Sequence, residues 1–357
     1  MSTTADMIAD SIGRIFTDHV NREVLDSLEG GTWPEALWNA LDDAGFTAIL
    51  GEPGEESTQQ WADACSVFQA IGRHTAPVPL AETAIANWLC AKYGLPAVKG
   101  PLTFFDAGNA TRPTTDSIIF SGVVRAVPWA RYAKAFVVEA RIDGENVLAL
   151  IDPGSESVSV EYGVNLAGEP LDTVRFKDCL ARTFVTPKVP VDVRTYGALA
   201  RAAMMAGAVE STLNSAVAYV NERIQFGRPI GKFQAIQQSL AQLAGEATSA
   251  QSAALAAFSY VDDAPGRFET AVAKIRAGKA AGLAASIAHQ VHGAIGFTWE
   301  HNLHYATQRL WSWRTEYGTE AAWVQELGRN AIQQRGERLW SNITAHYGGV
   351  AQKEGNL

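Results

Sequence analysis

Cysteine is scarce. Cys65, Cys90 and Cys179 are three scattered residues among 357 and fit neither a disulfide framework nor a zinc pattern, so a reducing compartment, the cytoplasm, is expected. Long apolar runs are missing too. No stretch of 18 apolar residues occurs, and the alanine-rich segments are interrupted by Arg201, Glu210, Lys274 and Lys279. Those segments are expected to be buried helices rather than membrane spans. The first ten residues show neither a basic nor an apolar leader pattern, and no secretory signal is expected. Positive charge is outnumbered: 29 Lys and Arg face 38 Asp and Glu, a formal net charge of −9. That balance argues against a nucleic-acid surface or an anchor on anionic membrane, while leaving room for a local basic pocket. A G-x-S-x-G nucleophile elbow is absent, which sets aside a Ser–His–Asp hydrolase. His289/His292 and His301/His304 repeat an i, i+3 interval that can ligate zinc. Without an H-E-x-x-H carboxylate they are assigned to packing or an interface, and no metal is expected.

What remains falls into three stretches, consistent with a chain too long for one simple core. Residues 1–98 are expected to be helical. Ile8, Ile12, Ile15, Val24 and Leu28 give 6–28 a helical spacing, and Gly30-Gly31 ends it. Thr32 and Pro34 open the next helix, and further helices cover 59–72 and 80–93. Residues 99–190 change to short β-rich runs at 102–105, 117–120, 135–139, 147–151, 158–161 and 173–176, separated by turn residues. Six strands at that spacing predict a small sandwich or barrel. From 191 to 357 the pattern returns to helix, with periodic segments at 195–224, 233–261 and 268–295. Their many small residues permit close contact, which predicts a four-helix bundle.

Two segments could carry chemistry. The first runs Arg223-Ile-Gln-Phe-Gly-Arg-Pro-Ile-Gly-Lys-Phe-Gln234 between two long helices. Phe226-Gly227 and Pro229 break the helix, and Arg223, Arg228 and Lys232 surround the break. Cations beside a new helix N-terminus suit a phosphate; a helical hairpin with ordinary surface charges is the plainer alternative. The second is Gln290-Val-His-Gly293-Ala-Ile-Gly296-Phe297, whose glycines permit close approach of a ligand or simply end a helix.

In this order and spacing, the two segments resemble the acyl-CoA dehydrogenase family. Its R-x-x-F-G hairpin with a following Gln corresponds to Arg223, Phe226, Gly227 and Gln234. Its Q-x-x-G-G-x-G-F segment corresponds to Gln290, Gly293, Gly296 and Phe297, and its E-G-T-like turn to Gly318-Thr319. The N-terminal stretch Leu37-Trp-Asn-Ala-Leu-Asp-Asp-Ala-Gly-Phe46 is similar as well. The resemblance implies an α+β fold of N-terminal helices (1–98), a central β-barrel or sandwich (99–190) and a C-terminal helical bundle (191–357). It implies FAD as cofactor, an acyl-CoA thioester as substrate and an electron-transfer flavoprotein-like acceptor. By position, Arg223, Gln225, Phe226, Gln234, Gln290, Gly293 and Thr319 inherit contacts to the flavin cofactor, largely one held by a neighbouring subunit.

Departures from the family pattern concern the reaction itself. Dehydrogenation needs a carboxylate to take the proton α to the thioester. The family's usual position for it holds Tyr317, and its other position holds Gly197. An unperturbed phenol, with a pKa near ~10, is a poor base at neutral pH. Glu316, one residue earlier, is the remaining candidate base. The family's T-E-P-x-x-G-S-D segment is not visible near Phe104-Phe-Asp-Ala-Gly108, and Ala126-Val-Pro128 stands where W-[IV]-[TS] is usual. Gly296-Phe-Thr-Trp-Glu-His301 is similar to the smaller subunit of heteromeric members serving steroid side-chain or dicarboxylic-acid degradation. The expectation is therefore FAD-dependent α,β-dehydrogenation of an acyl-CoA by a dimer or tetramer, with this chain paired to a paralogue or to itself. A flavin-free scaffold on the same fold is the alternative.

Overall fold

The structure is a computed structural model that describes residues 4–54, 56–261 and 264–333; the expected third stretch, ending at 357, runs beyond the described residues. Five helices come first: α1 (Thr4–His19), α2 (Arg22–Glu29), α3 (Glu35–Asp43), α4 (Ser57–Arg73) and α5 (Leu80–Tyr93). The helix expected over 6–28 is thus two. Asn21 divides them because its side-chain oxygen accepts from the Val24 amide at 3.0 Å, a cap that starts α2 afresh.

Eight strands follow: β1 (Leu102–Asn109), β2 (Thr111–Thr114), β3 (Ser117–Pro128), β4 (Ala135–Ile142), β5 (Glu145–Ile151), β6 (Val158–Glu161), β7 (Leu171–Ala181) and β8 (Phe184–Val185). They form two four-stranded sheets, ordered β1-β4-β5-β8 and β2-β3-β7-β6. Phe105 and Phe136 of the first sheet meet Phe120 and Phe176 of the second in a common core. The first sheet is buried on both faces. Ala135 and Val137 of β4 face the helices, while Phe136 and Val138 face the other sheet, as the two-residue period of a strand requires.

The remaining elements are α6 (Val193–Glu222), a two-stranded ribbon of β9 (Ile224–Gln225) and β10 (Arg228–Pro229), α7 (Gln234–Ser259), α8 (Arg267–His292), α9 (Leu303–Trp313) and α10 (Glu320–Gln333). At 30 residues α6 spans about 45 Å and is the axis on which the rest is hung. It packs against α4 at backbone distance. A Cβ on Gly72 would fall 1.8 Å from the Met204 carbonyl oxygen, and one on Gly207 would fall 1.9 Å from that of Gln69. The N-terminal helices, the inner face of the first sheet and the C-terminal helices consequently share one core. Among the described residues no helix is long and apolar enough to cross a membrane.

Candidate functional site

The hairpin after α6 is built by local turn chemistry. Phe226 and Gly227 take φ of 53° and 79°, the left-handed pair that closes a two-residue turn between β9 and β10. The turn lifts Phe226 clear of the protein at 91% exposure, and leaves Arg223, Gln225 and Arg228 exposed beside it. With its amide oxygen toward Arg223, Gln225 accepts from Nε at 3.3 Å and Nη2 at 2.7 Å. Arg228 lies 4.3 Å above the Phe233 ring. Phe233 precedes α7 and offers no side-chain cap, so only its carbonyl serves the first turn of this 26-residue helix, taking the Ile236 and Gln237 amides and leaving those of Gln234 and Ala235 open. Arg223, Arg228 and Lys232 form no ion pair among the described residues. Three cations without carboxylates at an uncapped helix start are suited to an anionic group such as a pyrophosphate.

At the far end of α8, Gly293 takes φ 63° and ψ −142°, a conformation open essentially to glycine alone. It turns the chain into a short 3-10 helix, Gly293–Phe297. Gln290 and Phe297 stay exposed and, with Ser286, His289 and Trp311, line a surface groove of about 530 Å³. The four tryptophans of this region divide: Trp313 and Trp323 are fully buried, whereas Trp299 and Trp311 are 59% and 47% exposed. No group of three or more His, Cys, Asp or Glu among the described residues is arranged to hold a metal ion.

The turn between α9 and α10 is organised the opposite way. Glu316 is 7% exposed and accepts from Arg201 Nε at 2.6 Å and from Asn165 Nδ2 at 3.1 Å. Arg201 also donates through Nη2 to Glu82 Oε1 at 2.5 Å. Asn165 continues to Glu169, which accepts from Arg309 Nε and Trp313 Nε1, both at 2.9 Å. Lys274 Nζ closes the back of the turn by donating to the Trp313 and Arg314 carbonyls at 2.9 Å. One buried polar chain therefore joins α5, α6, the loop between β6 and β7, α8 and α9 through this turn. Burial works against charge on Arg201, yet Glu82 and Glu316 hold the guanidinium charged, well above its ordinary pKa. Burial also raises the Glu82 pKa, against the pull of the same guanidinium.

Tyr317 fills the space behind Glu316. It adopts φ 54°, stacks on Phe104 at 5.7 Å and lies 5.5 Å from the Arg201 guanidinium. Its ring rests on Gly197 so closely that a Cβ there would come within 2.3 Å of ring carbons. The Tyr317 hydroxyl is sealed from solvent without a hydrogen-bond partner, and burial pushes its pKa far up, away from any role as a base. The two positions at which the sequence lacks an expected carboxylate, 317 and 197, are thus in direct contact, with one ring occupying the gap. Thr319 is exposed and caps α10, its hydroxyl accepting from the Ala322 amide at 3.3 Å. Sequence reasoning missed Glu82, Asn165, Glu169 and Arg309. The available signal was Arg201 and Lys274 themselves: a charge inside an alanine-rich helix must find a buried partner.

Comparison with known proteins agrees with this layout. A family model described as acyl-CoA dehydrogenase, C-terminal domain, matches residues 193–336. Acyl-CoA dehydrogenase IpdE2 of Mycobacterium tuberculosis is 28% identical over 275 residues, covering 75% of this chain and 78% of the relative. A chain of the ChsE4-ChsE5 complex from Mycobacterium tuberculosis superposes with a TM-score of 0.81 at 22% identity, over 93% of this chain and 98% of the other. A chain of a Tcur3481-Tcur3483 steroid ACAD variant gives 0.82 at 24% identity, over 93% and 98%. Residues 193–336 thus match the C-terminal domain of the acyl-CoA dehydrogenases, the chain is similar to members of that family over most of its length, and its fold is theirs.

Proposed function

We propose that this chain works in FAD-dependent α,β-dehydrogenation of an acyl-CoA thioester as one subunit of a heteromeric enzyme, supplying flavin contacts across the interface but no base. The carrying observation is the contrast between a buried Glu316, held by Arg201 and Asn165, and an outward-facing Arg223 hairpin. Bound flavin accepts the hydride of such a reaction. Arg223, with Gln225 and the open first turn of α7 at Gln234, is suited to the pyrophosphate. Phe226, Gln290 and Gly293 offer contacts for the adenosine end, and Thr319 contributes by fixing the start of α10. Glu316 is committed by hydrogen bonds to Arg201 and Asn165, which leaves it poorly placed to reach a substrate proton. Likeness to a chain of a two-component complex supports the heteromeric assembly, and the steroid name of a second neighbour supports a bulky acyl group. Electrons would leave to an electron-transfer flavoprotein-like acceptor.

The test is the visible absorbance spectrum of this chain purified alone and again after co-expression with a paralogous dehydrogenase. A colourless chain that joins a yellow complex, bleached on adding acyl-CoA, is the expected result. A chain that is yellow alone and is bleached by acyl-CoA would sink the heteromer reading. A complex whose flavin content ignores Arg223→Ala would leave only a scaffold.

A further inference from the structure

Four histidines meet where α8 gives way to α9. His289 and His292 end α8, His301 precedes α9 and His304 lies in its first turn. The His292 ring stacks on Tyr219 of α6 at 4.5 Å and meets His301 at 4.5 Å. His289 stacks on Phe297 at 4.5 Å, and His304 meets Trp299 at 4.6 Å. Hydrogen bonds fix two tautomers. Nδ1 of His292 donates to the Ala288 carbonyl at 2.7 Å, and Nδ1 of His304 donates to the His301 carbonyl at 2.8 Å. The Nε2 atoms of both rings are then bare lone pairs, buried with no donor to satisfy them. His289 pairs Nε2 with Thr307 at 3.2 Å, and its Nδ1 is likewise buried without a partner. On His301, Nδ1 accepts from the Leu303 amide at 3.1 Å.

Such a cluster is stable while uncharged. A proton on the bare Nε2 of His292 creates an imidazolium that has no acceptor there and faces His301, and at His289 only the Gly296 backbone offsets part of the cost of burial. The surroundings offer little compensation. From α2 come Arg22, bound to the Trp299 carbonyl at 2.8 Å, and Asp26, bound to the Tyr305 hydroxyl and 3.5 Å from Arg22. From α6 comes Tyr219, from the connecting loop the exposed Glu300, and from α9 Arg309, already paired with Glu169. No carboxylate among the described residues forms an ion pair with any of the four rings.

We propose that the imidazoles of His289, His292 and His301 are an acid-released latch, closing residues 293–313 onto the bundle above neutrality and freeing that segment when they charge. Burial, reinforced by the neighbouring imidazoles, lowers the pKa of His289, His292 and His301. The sign follows. The open segment, with imidazoles near their ordinary value of about 6.5, takes up more protons than the closed one as pH falls below that value. The closed form is at full strength above it and weakens below. Gln290 lies just before this segment and Gly293 begins it, so release would also disturb the flavin-facing surface, a consequence that rests on the function proposed above.

Amide hydrogen exchange on the full chain without flavin tests the latch separately from that function. After correction for intrinsic rates, residues 293–313 are expected to open at least about fivefold more readily at pH ~5.5 than at ~7.5. Exchange in the α4–α6 contact should not change. His292→Asn, which keeps a donor for Ala288 but cannot charge, should shift the opening to lower pH; His301→Asn, which keeps an acceptor for the Leu303 amide, is the second variant, should the first fail to fold. Imidazole proton titration of the unmodified chain should show three rings below about 6.5. Equal corrected exchange at both pH values, or imidazoles titrating at or above the ordinary value, would overturn the proposal.

Discussion

The hairpin after α6 and the turn before α10 are short, polar loops of similar sequence character, and the family resemblance marks both for ligand contact. They differ in where their charges go. Arg223, Arg228 and Lys232 reach the surface without carboxylate partners, while Arg201, Lys274 and Arg309 point inward and are saturated by Glu82, Glu316, Glu169 and backbone carbonyls. Unspent cations can recruit an anion; spent ones brace a fold. A basic residue is thus informative about ligand binding only once its partners are known.

The sharpest way to break this comparison is to remove the brace. Arg201→Met strands Glu82 and Glu316 in the interior, and urea unfolding should show a loss of roughly 3–5 kcal/mol. An unchanged midpoint would mean that the buried chain is ornamental. Next in size is Gly197→Ala. Its methyl group would overlap the Tyr317 ring, with an expected cost of about 1–3 kcal/mol. Tyr317→Ala should relieve that cost, so a double-mutant cycle in thermal unfolding should show strong coupling between the two sites. Additive losses would refute the contact. Arg223→Ala should have the least effect on folding, within about 0.5 kcal/mol. It should nonetheless lower flavin retention by a partnered complex by about tenfold or more, the worth of one charge-assisted hydrogen bond. Unchanged retention would remove the outward half of the contrast.

The outward half was legible in the sequence and the inward half was not, for a physical reason. A hairpin is specified by neighbours: Phe226-Gly227 closes the turn and Phe233 leaves α7 uncapped, all within a dozen residues. The brace is specified by distance. Arg201 meets Glu82 across 119 positions and Glu316 across 115, and Asn165 meets Glu316 across 151. No local pattern announces such pairings. The resemblance located the turn at 316–319 but could not say that Tyr317 would lie on Gly197. The same division runs through the fold. Helix α5 was readable to the residue, but the boundary between α1 and α2 hung on the Asn21 cap. Strand β2, exposed throughout and carrying Pro113, shows no alternation to detect, and β8 is only two residues long.

The fit of Tyr317 to Gly197 also bears on descent. With an aromatic ring in this gap, each position is hostage to the other. Any side chain at 197 now collides with the ring, and exchanging the ring for a carboxylate would open a void and crowd a third acid around Arg201 beside Glu82 and Glu316. A carboxylate placed at either position alone would therefore come at a cost to the fold. On the heteromeric function proposed above, the contact would act as a ratchet: with the chemistry in a partner subunit, neither position has a short path to self-sufficiency.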